Sequence, residues 1–444
     1  MSDAPQPPRT QVPDGDPHVA PVVYVTSDIP GVGGVIKQRP EDFLVDETAA
    51  YQPSGAGEHI YLYVEKRNLS TLEAARILAS HFGVAPDSVG FAGMKDRVAI
   101  TRQLFSVHAP GKTPEDFPQL VHDRLQIQWA DLHTNKIRLG HLTGNRFSIR
   151  IRSAGVGRVR DAKASLDRLV AFGLPNRFGP QRFGRTLNNH LIGRALICAD
   201  FDEAIRLLIA PERATTPAHT KAKELFLAGK YSEALAELPH TSYSERSVLR
   251  ALSKGVRASR AIKTLDRSTL RFFLSAFQSA AFNSVLDERL RAGTLNELHA
   301  GDVAFKHDSR ACFDVDSAVA SDPSTPERLR AFEISASGPM WSGKMRRAGG
   351  ATDEAELRSL ENLGVTIAQL QSFEKSAGQL IEGARRPLRV PLTFPEIEAG
   401  SDEHGEYIRV AFDLPRGAFA TVALEEIMKA GRAGDAEPSD EEDE

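Results

Sequence analysis

The sequence predicts a mixed α+β fold in which a mainly helical α+β unit interrupts a strand-rich one. Three observations carry that expectation. Alternating apolar and polar runs cluster before residue 152, helical periodicity dominates 188–291, and strand patterns return at "RPLRVPLTF" (386–394) and "EYIRVAFDL" (406–414). A chain of 444 residues is long enough to bury two cores. The expected layout is a disordered proline-rich N-terminus (1–21), a first part of the interrupted domain (22–172) and an inserted domain (173–390). The second part (391–430) and a disordered acidic tail (431–444) follow.

Residues 22–47 read as short strands ending in the alternating "EDFLVDE", and "HIYLYVEKR" (59–67) as another strand. "STLEAARILASHF" (70–82) is a helix opened by a capping box, with Ser70 at the cap and Glu73 three residues on. Residues 89–92 and 98–107 read as strands on either side of a loop within "GFAGMKDRVAITRQ" (90–103). "NRFSIRIR" (145–152) alternates cleanly, with Phe147, Ile149 and Ile151 on one face and Arg146, Ser148, Arg150 and Arg152 on the other. It is a half-buried strand with a basic open face, followed by a helix at about 157–172. Beyond the Gly-, Pro- and Arg-rich "LPNRFGPQRFGR" (174–185), helices dominate, including one over 269–290. Shorter strands and helices run to about 385, and a last helix lies near 416–429.

The formal net charge of −4 is unevenly distributed. The tail "GDAEPSDEEDE" holds seven acids and no base, residues 1–20 carry −2, and the remainder is +5. Residues 135–194 hold thirteen Lys or Arg against Asp161 and Asp167, and 244–271 hold eight against Glu245 and Asp266. Solvated helix faces mix both signs, so this excess points to a polyanionic partner. Only Cys198 and Cys312 are present, which leaves no disulfide framework or cysteine zinc site and favours a reducing, cytoplasmic setting. The N-terminus has no apolar signal region, and no segment approaches the length of a membrane span. No feature demands association, so a monomer is expected.

Among the motifs, "PGVGGVIK" (30–37) lacks the spacing of a phosphate or dinucleotide loop. The histidines lack metal-ligand spacing, and no G-x-S-x-G elbow is present. Arg177, Arg182 and Arg185, interleaved with Phe178 and Phe183, combine phosphate-binding forks with stacking rings, or form a tight turn with core phenylalanines. The sharpest anomaly is Asp96. Read as an extended strand, Met94, Asp96, Val98 and Ile100 share a side on which only the aspartate is polar, while Lys95 and Arg97 face the other way. The acid therefore needs water, a distant partner or a substrate.

These residues carry a resemblance. "GFAGMKDRVAITRQ" is similar to the G-x-K-D…T-x-Q catalytic motif of the TruD family of pseudouridine synthases. "IKQRPEDFLVDE" (36–47), "GEHIYLYVEKRNLST" (57–71), "HTNKIRLGHLTGNRFSIRIR" (133–152), "GLPNRFGPQRFGR" (173–185) and "LPRGAFATVALEEIMK" (414–429) resemble further family blocks in the same order. Met94 departs from many relatives, which carry Gln or Leu there. The resemblance implies a catalytic domain with a largely antiparallel sheet, interrupted by a TruD-type insertion domain. It implies isomerisation of a tRNA uridine, typically uridine-13, to pseudouridine without cofactor or metal. Asp96 matches the catalytic aspartate, Lys37 the active-site lysine, and Asn145 and Phe147 the asparagine and phenylalanine that contact the catalytic loop and target base.

Such an isomerase must break the C1′–N1 bond, turn the base and join C1′ to C5, after drawing the uridine from its stack at a cost on the order of a few kcal/mol. Asp96 acts either at C1′ directly or by taking the C2′ proton, with Lys37 as its charge partner. Phe147 is a stacking surface or a core ring, and Arg150, Arg152, Arg177, Arg182 and Arg185 are candidate RNA contacts. Two alternatives stand beside the enzyme: a non-catalytic RNA-binding or RNA-folding protein on the same scaffold, and a base-excising glycosylase, which also needs a carboxylate near C1′.

Overall fold

A computed structural model describes residues 22–213, 216–378 and 380–430. The expected disordered N-terminus and acidic tail lie outside the described residues. Two compact units emerge. Among the described residues, one combines 25–175 with 390–430, and the other holds 176–389 together with 22–24.

The first unit is built on an eight-stranded sheet. Its order runs Thr393–Asp402, Gly405–Pro415, β6 (Leu142–Arg152), β1 (Phe43–Ala49), β4 (Ile100–His108), β2 (His59–Arg67) and β5 (Leu125–His133), with the short β3 (Val89–Phe91) also on β4. Only the β1–β4 pair is parallel; every other neighbour is antiparallel. Alternation sets the two faces. Phe43 and Val45, Phe147 and Ile149, and Val410 and Phe412 pack under α2 (Val159–Phe172) and the helix Ala420–Met428 in one apolar cluster. A second cluster places Ala74, Leu78 and Phe82 of α1 (Thr71–Phe82) against Leu62, Val64 and Phe105. The α1 capping box forms as expected: Ser70 Oγ accepts from Glu73 N at 3.2 Å, and Glu73 Oε2 accepts from Ser70 N at 2.8 Å.

Several elements differ from the expectation. Residues 22–42 form turns, one isolated bridge between Val35 and Arg152, and a single 3-10 turn at Pro40–Asp42 rather than strands. Strand β5 and the strand Thr393–Asp402 were not expected. The loop expected between the strands at 89–92 and 98–107 is present and runs over residues 92–99.

In the second unit the helix Asn189–Ile197 lies against the 25-residue helix Arg267–Arg291. Contact is close enough that a Cβ at Gly193 would fall 2.2 Å from the Phe273 carbonyl oxygen. A four-stranded antiparallel sheet completes the unit, ordered Ala384–Pro387, Ile334–Met340, Val303–Lys306 and Cys312–Asp314. Among the described residues no helix is long and apolar enough to cross a membrane.

Candidate active site

Asp96 sits in the loop between β3 and β4, and its position follows from the sheet. β1 pairs with the first residues of β4 and β3 with its last ones. The edge of β4 between them is finished by side chains. Glu47 Oε1 accepts from the Leu104 backbone N–H at 3.2 Å, and the Gln103 amide donates to the Gly93 carbonyl at 3.1 Å. Thr71, at the start of α1, accepts from Lys95 N at 2.9 Å and donates to Gln103 Oε1 at 3.2 Å. Lys95 turns inward to Glu47 Oε2 at 2.6 Å, a pair almost wholly shielded from water. From β2, the fully buried Lys66 donates to the Asp96 carbonyl at 2.9 Å and to the Leu69 carbonyl at 2.5 Å.

The Asp96 carboxylate points the other way and meets Lys37 Nζ at 3.1 Å, both partly open to solvent. Lys37 is delivered by a tethered segment. Val32 N bonds the Ile427 carbonyl at 3.0 Å, and Val35 and Arg152 exchange two backbone bonds at 2.9 and 2.8 Å. Lys37 then adopts a left-handed backbone (φ 57°) and passes 4.6 Å over the Phe43 ring. Left-handed non-glycine residues cost on the order of 1–3 kcal/mol and cluster where a site demands them. Phe43 meets Phe147 edge-on at 6.5 Å, and Phe147 lies 5.9 Å from Phe412. An anion and a cation held together beside a semi-open loop can carry nucleophile or base chemistry at a reacting carbon.

A family model described as tRNA pseudouridine synthase D (TruD) matches residues 21–427. The chain belongs to the TruD family. It is 42% identical over 410 residues to the tRNA pseudouridine synthase D of Geobacter sp. strain M21, covering 92% of this chain and 99% of that one. The Geobacter sulfurreducens protein of the same name is 40% identical over 408 residues, covering 91% and 96% of the two chains. A Methanosarcina mazei crystal structure described as TruD superposes with a TM-score of 0.80 at 25% identity, covering 96% of this chain and all of that one.

Within this TruD chain, the sites expected from sequence fall into two groups. Asp96 and Lys37 are brought together. Asn145 stands opposite Glu47 in the β1–β6 ladder, one side chain from the Lys95 anchor, and its Oδ1 is buried with no hydrogen-bond partner. Phe147 is a core ring, only 7% exposed, supporting Phe43 beneath Lys37. The arginines differ in their surroundings. Arg152 is 2% exposed, with its guanidinium divided between Asp42 and Asp402 at 2.6–3.0 Å. Those bonds hold the Asp402 carboxyl well below the usual carboxylate range. Arg177 is buried against Asp287, and Phe178 and Phe183 are core rings. Arg150 is bonded to Asp402 at 3.2 Å and lies over Tyr407; Arg182 lies 5.4 Å from the Phe178 ring centre, and Arg185 is exposed.

The basic excess of 135–194 is met in part by acids from elsewhere. Arg146 pairs with Asp413 and Glu396, and Arg168 with Asp28, while Arg158 and Lys163 take the two acids of the window itself. Among the described residues no group of His, Cys, Asp and Glu is arranged to hold a metal. Sequence reasoning missed Lys66, Glu47, Thr71 and Gln103. A signal was available: Lys66 falls in phase with Ile60, Leu62 and Val64, and Glu47 with Phe43 and Val45.

Proposed function

We propose that this protein isomerises a uridine of tRNA, at position 13, to pseudouridine, with Asp96 as the catalytic carboxylate. The observation that carries the reading is the 3.1 Å pairing of Asp96 with Lys37 on a loop fixed from behind by buried groups, in a chain of the TruD family. The reaction needs no external reagent. The C1′–N1 bond breaks, the uracil turns, C1′ bonds to C5, the C5 proton leaves, and N1 is protonated. Asp96 acts at the sugar, by attack at C1′ and displacement by C5, or by removal of the C2′ proton and its return as C1′ bonds to C5; the freed carboxylate then takes the C5 proton. Lys37 offsets the carboxylate charge while the leaving uracil is anionic. Arg150, Arg182 and Arg185 are proposed contacts to the RNA backbone. The working form proposed is a cytoplasmic monomer.

The test compares wild type with Asp96→Asn by mass spectrometry of nuclease-digested tRNA. Asp96→Asn is expected to bind tRNA and form no pseudouridine; normal product from it removes the assignment. Pseudouridine mapping of the wild-type product fixes the position, and modification away from 13 removes that part.

A further inference from the structure

Beside the loop after β5 lies an open pocket of about 480 Å³ lined by Tyr51, His133, Asn135, Lys136, Arg138 and His141. That volume falls within the span of small-ligand sites, about 300–1,000 Å³. Its walls are tied from several sides. Ser54 and Gly55 N–H groups bond the Leu132 carbonyl at 3.1 and 3.0 Å, and Tyr61 donates its hydroxyl to the Asn135 carbonyl at 2.8 Å. Ile137 N–H bonds Ser106 Oγ at 2.9 Å. Gly57 (φ +138°) lets the approach segment close, since a Cβ there would lie 2.2 Å from the His133 carbonyl oxygen. A site tied in this way is organised before anything binds.

The lining has a consistent chemistry. Tyr51 stacks on His133 at 5.4 Å and meets His141 edge-on at 5.7 Å. The Tyr51 hydroxyl lies 2.5 Å from His141 Nδ1, and the Arg138 backbone N–H also points at that nitrogen, at 3.4 Å. Nδ1 is thus placed to accept, which leaves Nε2 as the ring's donor side. Lys136 and Arg138 add positive charge, Asn135 adds an amide, and no carboxylate is among the lining residues. Flat rings for a base, cations for a phosphate and an amide for base edges are the complement of a nucleotide. The cavity is also joined to the reacting centre. Gly140 N–H bonds the Ala92 carbonyl at 2.7 Å, and the four residues from Ala92 to Asp96 span at most about 14 Å.

We infer that this cavity holds a second nucleotide of the RNA substrate, one flanking the target uridine, with its phosphate on Arg138 and its base against the Tyr51–His133 rings. The inference rests on the proposed tRNA substrate. It is tested by fluorescence-anisotropy titration of an unmodified tRNA transcript over a range of salt concentrations, using wild type, Arg138→Ala and Tyr51→Leu. Arg138 is exposed, so its replacement leaves the thermal unfolding midpoint unchanged. Arg138→Ala is expected to raise Kd about five- to tenfold and to make the log Kd against log salt slope shallower by about 0.7–0.9, one phosphate contact. Tyr51→Leu is expected to raise Kd at least about fivefold, as for loss of one stacked base, with the slope unchanged. Unchanged affinity and slope for Arg138→Ala overturn the inference, as does a photocrosslink map of 4-thiouridine-substituted tRNA that leaves the peptide 133–141 unlabelled. Failure of the functional reading is seen separately, as absence of pseudouridine from the wild-type reaction.

Discussion

The ammonium of Lys66, wholly enclosed in the sheet, donates a hydrogen bond to the backbone carbonyl of Asp96 at 2.9 Å, so the loop that carries Asp96 is held by its main chain from below. The carboxylate is left to Lys37 alone among the ion pairs of the loop. Lys66→Met keeps most of the buried volume and removes the anchor. It is expected to lower kcat on the order of 10- to 100-fold through misplacement of the carboxylate, with tRNA Kd unchanged. Single-turnover kinetics and a binding titration check the split.

Lys95 and Glu47 form the second anchor, at 2.6 Å and out of contact with water. Removing one member leaves the other charge buried, which costs about 3–5 kcal/mol. Lys95→Met and Glu47→Gln are each expected to lower the urea midpoint, and the double variant to recover much of the loss. Additive losses in that cycle are the contrary result.

Arg152 serves the fold. Arg152→Met leaves Asp42 enclosed without its partner and is expected to cost about 3–5 kcal/mol of stability. The salt dependence of tRNA binding, measured below the unfolding transition, stays as in wild type.

Stability also depends on His307. Burial pushes its imidazolium down to a pKa of about 4 from the ordinary 6.5, with Arg389 and Arg310 adding repulsion. As pH falls the unfolded chain takes up this proton first, so the contribution is complete above pH 6.5 and is lost between 6.5 and about 4. The share is of order 2 kcal/mol after screening by solvent. Urea titrations of wild type and His307→Asn at pH 7 and pH 5 are expected to differ in slope, with the variant less sensitive to acid.

Much of this architecture is legible in the sequence where one strand face is apolar. Residues 59–67 and 145–152 alternate and are strands in the fold. Strands 125–133 and 393–402 escape because most of their residues stay exposed or half-exposed, leaving no apolar period to read. Residues 22–42 mislead for the opposite reason: Val32 docks into the core without a ladder around it. Asp96 stood out because an acid in apolar phase is anomalous, and the same test applied to Lys66 and Glu47 finds the loop's anchors. Counting charge along a window does not show which bases are already paired: one of the acids that answer Arg152, Asp402, stands 250 residues away.

That separation has a consequence in time. On its helix-covered face β6 presents Phe147, Ile149 and Ile151, and one flank of the strand is met only by Gly405–Pro415. At about 5–20 residues per second, a ribosome needs some ten to fifty seconds to pass from Arg152 to Asp402. For that interval the nascent chain carries an open strand edge, so its safe passage depends on what shelters β6 during synthesis.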